Sequence, residues 1–275
     1  MRPAATYFKE GALIRQVHGE RAVGLGGPRA LLMMAAHPVA FEGFFMSTGD
    51  LDDPYARLRR TADVLDAITF GPKARADTMC RHVRARHAQV TGVLPADAGR
   101  FPAGTPYAAD DPELLLWILA SLADSSQLAY ERYVRTLSDA EREAYWQDFK
   151  IMGRLFGLKA RDMPKTAVDF TDYMDRMLAS GDLTVTDTAR ELGKRIVLRP
   201  PVPLAARPLV ELVNQITVGL LPPDVRRQYR LGWDPLRAVA VAGGAEYIKR
   251  VLIPLLPGRV RSVPSAQAAR ALRAA

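Results

Sequence analysis

The stretch Pro112–Val134 reads PELLLWILASLADSSQLAYERYV, and it decides the fold class. Asp110 or Asp111 precedes Pro112, an arrangement typical of a helix that starts with a capping side chain and a first-turn proline. Apolar residues follow nearly all round the helix rather than on one face, which indicates burial on every side. We therefore predict that this helix is the central buried element of an all-α protein.

The segments on both sides also have helical character. Ser138 opens a capping box, SDAE, that predicts a helix to Leu155. No stretch shows the sustained alternation of a half-buried strand. Further helices are predicted at 28–36, 55–70, 74–91 and 164–180, and proline-interrupted helices at 185–197, 203–229 and 235–256. We expect one domain over residues 1–275, with its core at about 20–260 and a loose tail at 264–275.

Composition limits the function classes. A net charge of +8 permits binding to nucleic acid, anionic lipid or an acidic cofactor without choosing among them. The single cysteine, Cys80, excludes an intramolecular disulfide and a cysteine-based zinc cage, and it favours the reducing cytoplasm. The N-terminus has no secretory h-region, and the apolar runs are too short to span a bilayer.

The glycine-rich turn AVGLGGP at 22–28 is not a dinucleotide-binding loop, because no strand precedes it and the GxGxxG spacing is absent. The chain also has no GxSxG elbow, no P-loop and no Cys/His pair placed for a thiol nucleophile. These common kinds of catalytic site are therefore excluded.

The stretch Cys80–Gly92, CRHVRARHAQVTG, holds two of the four histidines. His82 and His87 are five residues apart and point about 140° away from each other on a helix, so they cannot share a metal ion. His87 lies on a mildly apolar stripe with Val83 and Val90, whereas His82 shares its side with arginines. If one of them binds a metal, it does so alone, as the axial ligand of a haem iron does. The alternative is an ordinary capping or core histidine.

Three polar residues, Arg57, Arg60 and Thr61, fall on one face of the helix at 55–70. This face is either solvated, with Asp52, Asp53 or Asp63 as partners, or it anchors haem propionates and forms a polar wall beside a cofactor.

His37 lies at a helix end, facing Glu42 across a short apolar turn. It is either a capping histidine or a distal acid/base group.

Several segments in a fixed order carry a resemblance to a known family. They are GGPRALLMMAAHPVAFEGF, DPYARLRRT, HAQVTG, YAADDPELLLWILASLADS, LSDAEREAYWQDFKIMGRLFG and LLPPDVRRQYRLGW. Together, over most of residues 20–260, they resemble the bacterial proteins grouped with the MpaB-type oxygenases, a superfamily that includes the catalytic domain of the rubber oxygenase latex clearing protein.

This resemblance implies a globin-like multi-helix domain that encloses a haem b pocket. It implies His87 as the iron ligand, Arg57, Arg60 and Thr61 as the cofactor-side motif, and Glu42 as an acid/base group. Characterised relatives use dioxygen to cleave carbon–carbon double bonds of isoprenoid chains, so an apolar substrate is expected.

The sequence departs from the family pattern at two places. Trp117 to Ser121 reads WILAS where many relatives have Trp-Val-His-Ala-Thr, so a helix histidine is missing and Ser121 keeps a hydroxyl. Arg60 replaces a lysine of the rubber-cleaving relatives, and an arginine cannot ligate iron.

We therefore predict a haem-dependent oxygenase that acts with dioxygen on a large apolar substrate such as an isoprenoid or polyketide. Arg60, Glu42 and Thr61 would be catalytic, and the cofactor would contact Arg57, Arg60, Thr61, His37, Trp117 and Ser121. One alternative is a haem protein of the same fold with a different oxidation or rearrangement. The other is a helical nucleic-acid-binding protein that uses RHVRARH, although we expect no nucleic acid. No motif specifies the oligomeric state.

Overall fold

The long helix at the centre of the sequence is also central to the structure. The computed structural model describes residues 5–46 and 54–274, without the side chains of Pro54, Arg57 and 272–274. Helix α6 spans Pro112–Tyr133, and Asp111 caps it by accepting the backbone N–H groups of Glu113 and Leu114. Its buried residues lie on several faces, as predicted.

Helix α2, Gly27–Ala35, runs antiparallel across α6 at very close range. A Cβ atom at Gly26 would lie 2.4 Å from the backbone oxygen of Ser125, so only glycine fits there. At the other end of α2, Trp117 donates from Nε1 to the carbonyl oxygen of Met34 at 3.4 Å. Small residues at one end and a buried tryptophan at the other therefore fix the crossing of the two helices.

A helical hairpin provides the other main feature. Helix α4, Pro54–Phe70, ends at Gly71-Pro72, and α5, Lys73–His87, returns antiparallel against it. The predicted break at Gly71-Pro72 is confirmed. Helix α5 ends at His87 rather than at Thr91, because the chain there enters strand β1, Thr91–Val93, which pairs antiparallel with β2, Pro106–Ala108. These short strands were not predicted.

The remaining helices surround this frame. They are α1 Leu13–Gly19, α3 Pro38–Phe41, α7 Asp139–Phe156, α8 Ala167–Ala179, α9 Asp187–Gly193, α10 Arg207–Leu220, α11 Pro223–Gln228, α12 Pro235–Tyr247, α13 Ile253–Leu255, α14 Gly258–Arg261 and α15 Pro264–Ala274. Short 3-10 helices occur at Arg21–Gly26, Ala160–Asp162 and Leu204–Ala206, and π-helical turns at Glu42–Met46, Lys194–Leu198 and Ile248–Leu252. The capping box at Ser138 is present, as predicted.

Two predicted boundaries are wrong. The tail after Pro264 is not loose but forms α15, because Ala266 is buried and packs against the N-terminal part of the fold at Gly19. The core also begins earlier than residue 20, since Phe8, Ile14 and Val17 are buried in the main apolar cluster. That cluster extends to Ile253, which supports the one-domain organisation, although this stays a prediction.

The fold class is all-α, as predicted. Within the described residues, no helix is both long enough and apolar enough to cross a bilayer.

Candidate functional site

Two of the predicted site residues, Arg57 and His87, lie at similar distances along the α4–α5 hairpin from its turn. Arg57 lies thirteen residues before the end of α4, and His87 lies fourteen residues after the start of α5. At about 1.5 Å per residue, both positions are roughly 20 Å from the turn. Both residues therefore lie toward the open end of the hairpin, and the side chain of Arg57 lies outside the described part.

His87 is half-buried, whereas His82 on the same helix is exposed. The rings of His87 and Phe44 form a T-shaped contact, with 5.2 Å between the ring centroids and 88° between the planes. Its Nδ1 atom is buried. The predicted difference between the two histidines is therefore confirmed, and His87 lies against the π-helical turn Glu42–Met46.

Tyr107 joins this turn to the small sheet. Its ring passes between two glycines, because a Cβ atom would lie 3.4 Å from its Cδ2 at Gly43 and 2.4 Å from its Oη at Gly92. Gly92 is also the strand partner of Tyr107. The two missing side chains thus make room for an aromatic wall close to the end of α5. Sequence reasoning missed Tyr107 and Phe44, for which the glycines were the available signal.

Glu42 is the first residue of the π-helical turn and is half-buried. Burial raises the pKa of its carboxyl group above the usual value. The contact between Phe44 and His87 brings this turn against α5. Because of its burial, Glu42 holds a proton more readily than an exposed glutamate does.

Arg60 and Thr61 are exposed, as is Asp63 on the same helix. The proposed acidic partners Asp52 and Asp53 lie outside the described residues. The structure therefore presents this face of α4 toward the surface at the hairpin end, and both the solvated interpretation and the cofactor interpretation remain predictions.

His37 caps helix α3, with its Nδ1 atom accepting the backbone N–H of Ala40 at 3.4 Å. Its ring lies 5.3 Å from that of Phe101, and burial lowers its pKa to about 4, so it is neutral near pH 7. The capping interpretation of His37 is confirmed. Its contact with a cofactor stays a prediction.

Trp117 and Ser121 lie in the crossing of α6 with α2. Trp117 has 1% exposure and Ser121 none. Among the described residues, no hydrogen-bond partner reaches the Oγ atom of Ser121. Both side chains are thus enclosed by protein. Their contact with a cofactor stays a prediction.

A buried charge pair in the same crossing was missed by sequence reasoning. Arg29 is almost fully buried, and its Nη1 lies 2.6 Å from Asp124 and 2.6 Å from the Oγ of Ser125, while Nε donates to the carbonyl of Leu220. A cleft of about 150 Å³ opens beside this pair, and His87 does not line it. A lone arginine in an apolar run, as in GGPRALL, was the signal for a buried ion pair.

The chemistry of the residues at the hairpin end fits a porphyrin iron. The described residues contain no cluster of three or more metal-ligating side chains, but a haem iron requires only one or two protein ligands. A half-buried imidazole beside a phenyl ring and an aromatic wall matches an apolar macrocycle, and arginines on α4 match carboxylate substituents. His87 is therefore the residue that could hold the iron, and arginine is the residue type that could bind the propionates.

Comparisons with known proteins identify the family of this chain. No solved structure matches it significantly. Uncharacterized proteins of Mycobacterium bovis and of Mycobacterium tuberculosis are each 28% identical to it over 185 residues, which cover 66% of this chain and 68% of theirs. The model of the family described as ER-bound oxygenase mpaB/B'/Rubber oxygenase, catalytic domain, matches residues 15–250. The resemblance expected from the sequence is thus confirmed, and the chain belongs to the family of mpaB and rubber oxygenase catalytic domains.

Proposed function

We propose that this protein is a haem b-dependent oxygenase that acts with dioxygen on a large apolar substrate, with His87 as the residue that would hold the iron. The observation that carries the proposal is the position of His87, half-buried against Phe44 at the end of the hairpin that also holds Arg57, Arg60 and Thr61. Membership of an oxygenase family supports the reaction class.

The ligand role is assigned to the Nε2 atom of His87, because Nδ1 is buried inside the protein. The edge-on contact with Phe44 restricts rotation of the imidazole, which favours a single ligand orientation. His82 lies five residues earlier and is exposed, so it is the natural control for any ligand test.

Arg57 and Arg60 would bind the carboxylate groups of the cofactor from α4. A guanidinium stays charged at all relevant pH values and donates two parallel hydrogen bonds to a carboxylate, so it holds such a group without competing for the iron. The hydroxyl of Thr61, one turn from Arg57, would donate a hydrogen bond that orients dioxygen or substrate in the site.

Glu42 would move the proton in the reaction. Its carboxyl group has a raised pKa because it is half-buried, so it is closer to the range in which a general acid or base works near neutral pH. The haem, when bound, supplies the site of dioxygen activation. The oxygenated product of an isoprenoid or polyketide double bond would then be released from an aromatic, apolar wall that includes Phe44 and Tyr107.

Haem uptake tests the proposal directly. The protein is expressed with a haem precursor, and the Soret absorbance per chain is measured for the wild type, His87→Ala and His82→Ala. We expect the wild type to bind haem, His87→Ala to lose most of it, and His82→Ala to keep it. Circular dichroism of each variant verifies that the helices are intact.

The possible outcomes test haem dependence, the identity of the iron ligand and the role of Glu42 separately. A colourless wild type that cannot be reconstituted with haemin would overturn haem dependence. A full Soret band in His87→Ala would move the ligand to another residue. In the holoprotein, Glu42→Gln should lower turnover of an isoprenoid test substrate while the Soret band stays, since the amide cannot carry the proton.

A further inference from the structure

The C-terminal third of the chain exposes large apolar side chains. Exposed large apolar side chains outside this region include those of Val93 and Val168. Those inside it are Leu204, Leu209, Leu212, Leu236, Val239, Tyr247, Val251, Leu252, Leu255 and Val260. Single exposed apolar residues are ordinary, but such a concentration on neighbouring helices marks an interaction surface.

Much of this surface is one stripe along α12 and the turns that continue it to α13. Leu236, Val239 and Tyr247 are 79%, 70% and 61% exposed. At about 100° per residue, Leu236 and Tyr247 lie within roughly 20° of each other, with Val239 about 60° to one side. Leu255, three residues after the π-helical turn Ile248–Leu252, extends the exposed apolar residues further. We call Leu236, Val239, Tyr247, Val251 and Leu255 the α12 stripe.

The opposite face of α12 already packs inside the protein. Ala245 is buried, about 180° from Leu236 around the helix. Val241 and Trp233 both pack near Gly219 of α10. The α12 stripe therefore does not belong to the internal core, and it is an apolar face turned outward.

The net charge of the chain lies in the same region. Residues 1–198 contain 26 basic and 26 acidic side chains, whereas residues 199–275 contain 12 basic and 4 acidic ones. The whole net charge of +8 thus comes from the part of the chain that exposes the α12 stripe. The excess of basic residues and the exposed apolar residues therefore occur in the same part of the chain.

We propose that the α12 stripe docks the protein onto an anionic membrane surface. An outward apolar helix face with arginine and lysine beside it is the combination by which amphipathic helices lie in the headgroup region of a bilayer. Leucines and valines enter the acyl boundary, the tyrosine lies at the interface, and the cations approach lipid phosphates.

The cations next to the stripe are available for phosphate. Arg237 pairs with Asp234 at 3.1 Å and Arg250 with Glu246 at 2.8 Å, but both arginines are more than half exposed. Exposed ion pairs of this kind contribute little and exchange readily. Arg259 is also exposed and lies just beyond the stripe.

Two other partners fit the observations less well. A second copy of this chain, meeting through the same face, would bring two strongly positive regions together. A nucleic acid would use the charge but would leave the leucines and valines without an apolar partner. An anionic bilayer satisfies both properties of the surface.

Vesicle binding tests the docking site with matched variants, and it needs no haem. The purified protein is sedimented with vesicles of phosphatidylcholine, with or without about one-third phosphatidylglycerol. Val239 is 70% and Val168 71% exposed, so V168S on α8 is the control for the double variant L236S/V239S. The side chain of Arg250 is 78% exposed and that of Arg161 77%, so R161Q is the control for R250Q.

We expect binding to the anionic vesicles that weakens as salt rises from about 0.1 to about 0.5 M. L236S/V239S should weaken it at least about tenfold, and R250Q up to about fivefold, while V168S and R161Q leave it unchanged. Absence of binding, or equal losses in variant and control, overturns the proposal. The proposal is also overturned if the wild type is a dimer that does not bind vesicles and L236S/V239S is a monomer. In that case the α12 stripe would bind a second copy of the chain.

Discussion

Gly26→Ala is expected to force the two central helices apart. The backbone at Gly26 has φ −78° and ψ −19°, which every residue adopts, so the effect arises from space alone. An alanine Cβ would lie 2.4 Å from the carbonyl oxygen of Ser125 and 3.1 Å from the Cβ of Ala129. Because the nearest atom belongs to the backbone of α6, no side-chain rotation relieves the contact.

The cost follows from the distances. Non-bonded heavy atoms need about 3.5 Å, so the helices must separate by roughly 1 Å. The bond from Arg29 Nη1 to Ser125 Oγ, 2.6 Å long, would then reach about 3.6 Å, beyond hydrogen-bonding range. Overpacking costs about 1–3 kcal/mol and loss of a charged hydrogen bond about 1.5–3 kcal/mol. We expect the free energy of unfolding to fall by about 3–5 kcal/mol.

Urea unfolding followed by circular dichroism measures this change. Gly24→Ala is the control, because Gly24 lies in the same 3-10 helix and no atom would lie within 4 Å of its added Cβ. Its free energy of unfolding should stay within about 0.5 kcal/mol of the wild type. If the free energies of unfolding of Gly26→Ala and Gly24→Ala differ by less than about 1 kcal/mol, then α2 and α6 do not cross as closely in the protein as the structure describes.

Three further predictions follow from single side chains. Ser138→Ala should lower the free energy of unfolding by about 1 kcal/mol in urea titrations, while Ser138→Asp, which keeps a cap on α7, should lower it less. Burial raises the pKa of the Cys80 thiol to about 11, so iodoacetamide at pH 8 should label it in urea but hardly at all in the folded protein, as mass spectrometry would show. Burial lowers the pKa of His37 to about 4, whereas its pKa in the unfolded chain is about 6.5. Between these pH values the unfolded chain binds one more proton than the folded protein does. The free energy of unfolding should therefore fall as the pH falls from about 6.5 to about 4. His37→Asn, which keeps a capping acceptor, should remove up to about 1.4 kcal/mol per pH unit of that dependence.

The helices were predictable from sequence where their signals are local. Pro112 and Ser138 mark helix starts through caps that involve only their own neighbours, and Gly71-Pro72 marks a turn that no helix can continue. His87 could be preferred to His82 for the same reason, since the faces of one helix follow from spacing alone.

The features that sequence reasoning missed depend on distant partners. Helix α5 stops at His87 because the next residues pair with a strand that begins at Pro106. Helix α15 is held by burial of Ala266 near Gly19, a contact between the two ends of the chain. The π-helical turn Glu42–Met46 has no short-range signature, and its position depends on the rings of Phe44 and Tyr107. The π-helical turn contacts His87 through Phe44, so the surroundings of this histidine could not be predicted from its own helix.

The distribution of charge makes the two proposals separable. Every predicted site residue lies within residues 37–121, in the part of the chain with no net charge, whereas the α12 stripe lies in the part that carries all of it. A substrate that dissolves in the acyl region of a bilayer would reach such an enzyme more readily when the enzyme lies on the same surface. L236S/V239S should therefore keep the haem content of the wild type, lower turnover of a substrate presented in anionic vesicles, and leave turnover of a short, detergent-dispersed analogue unchanged. Equal losses with both forms of substrate would place the α12 stripe in the folding of the catalytic region rather than in delivery of the substrate.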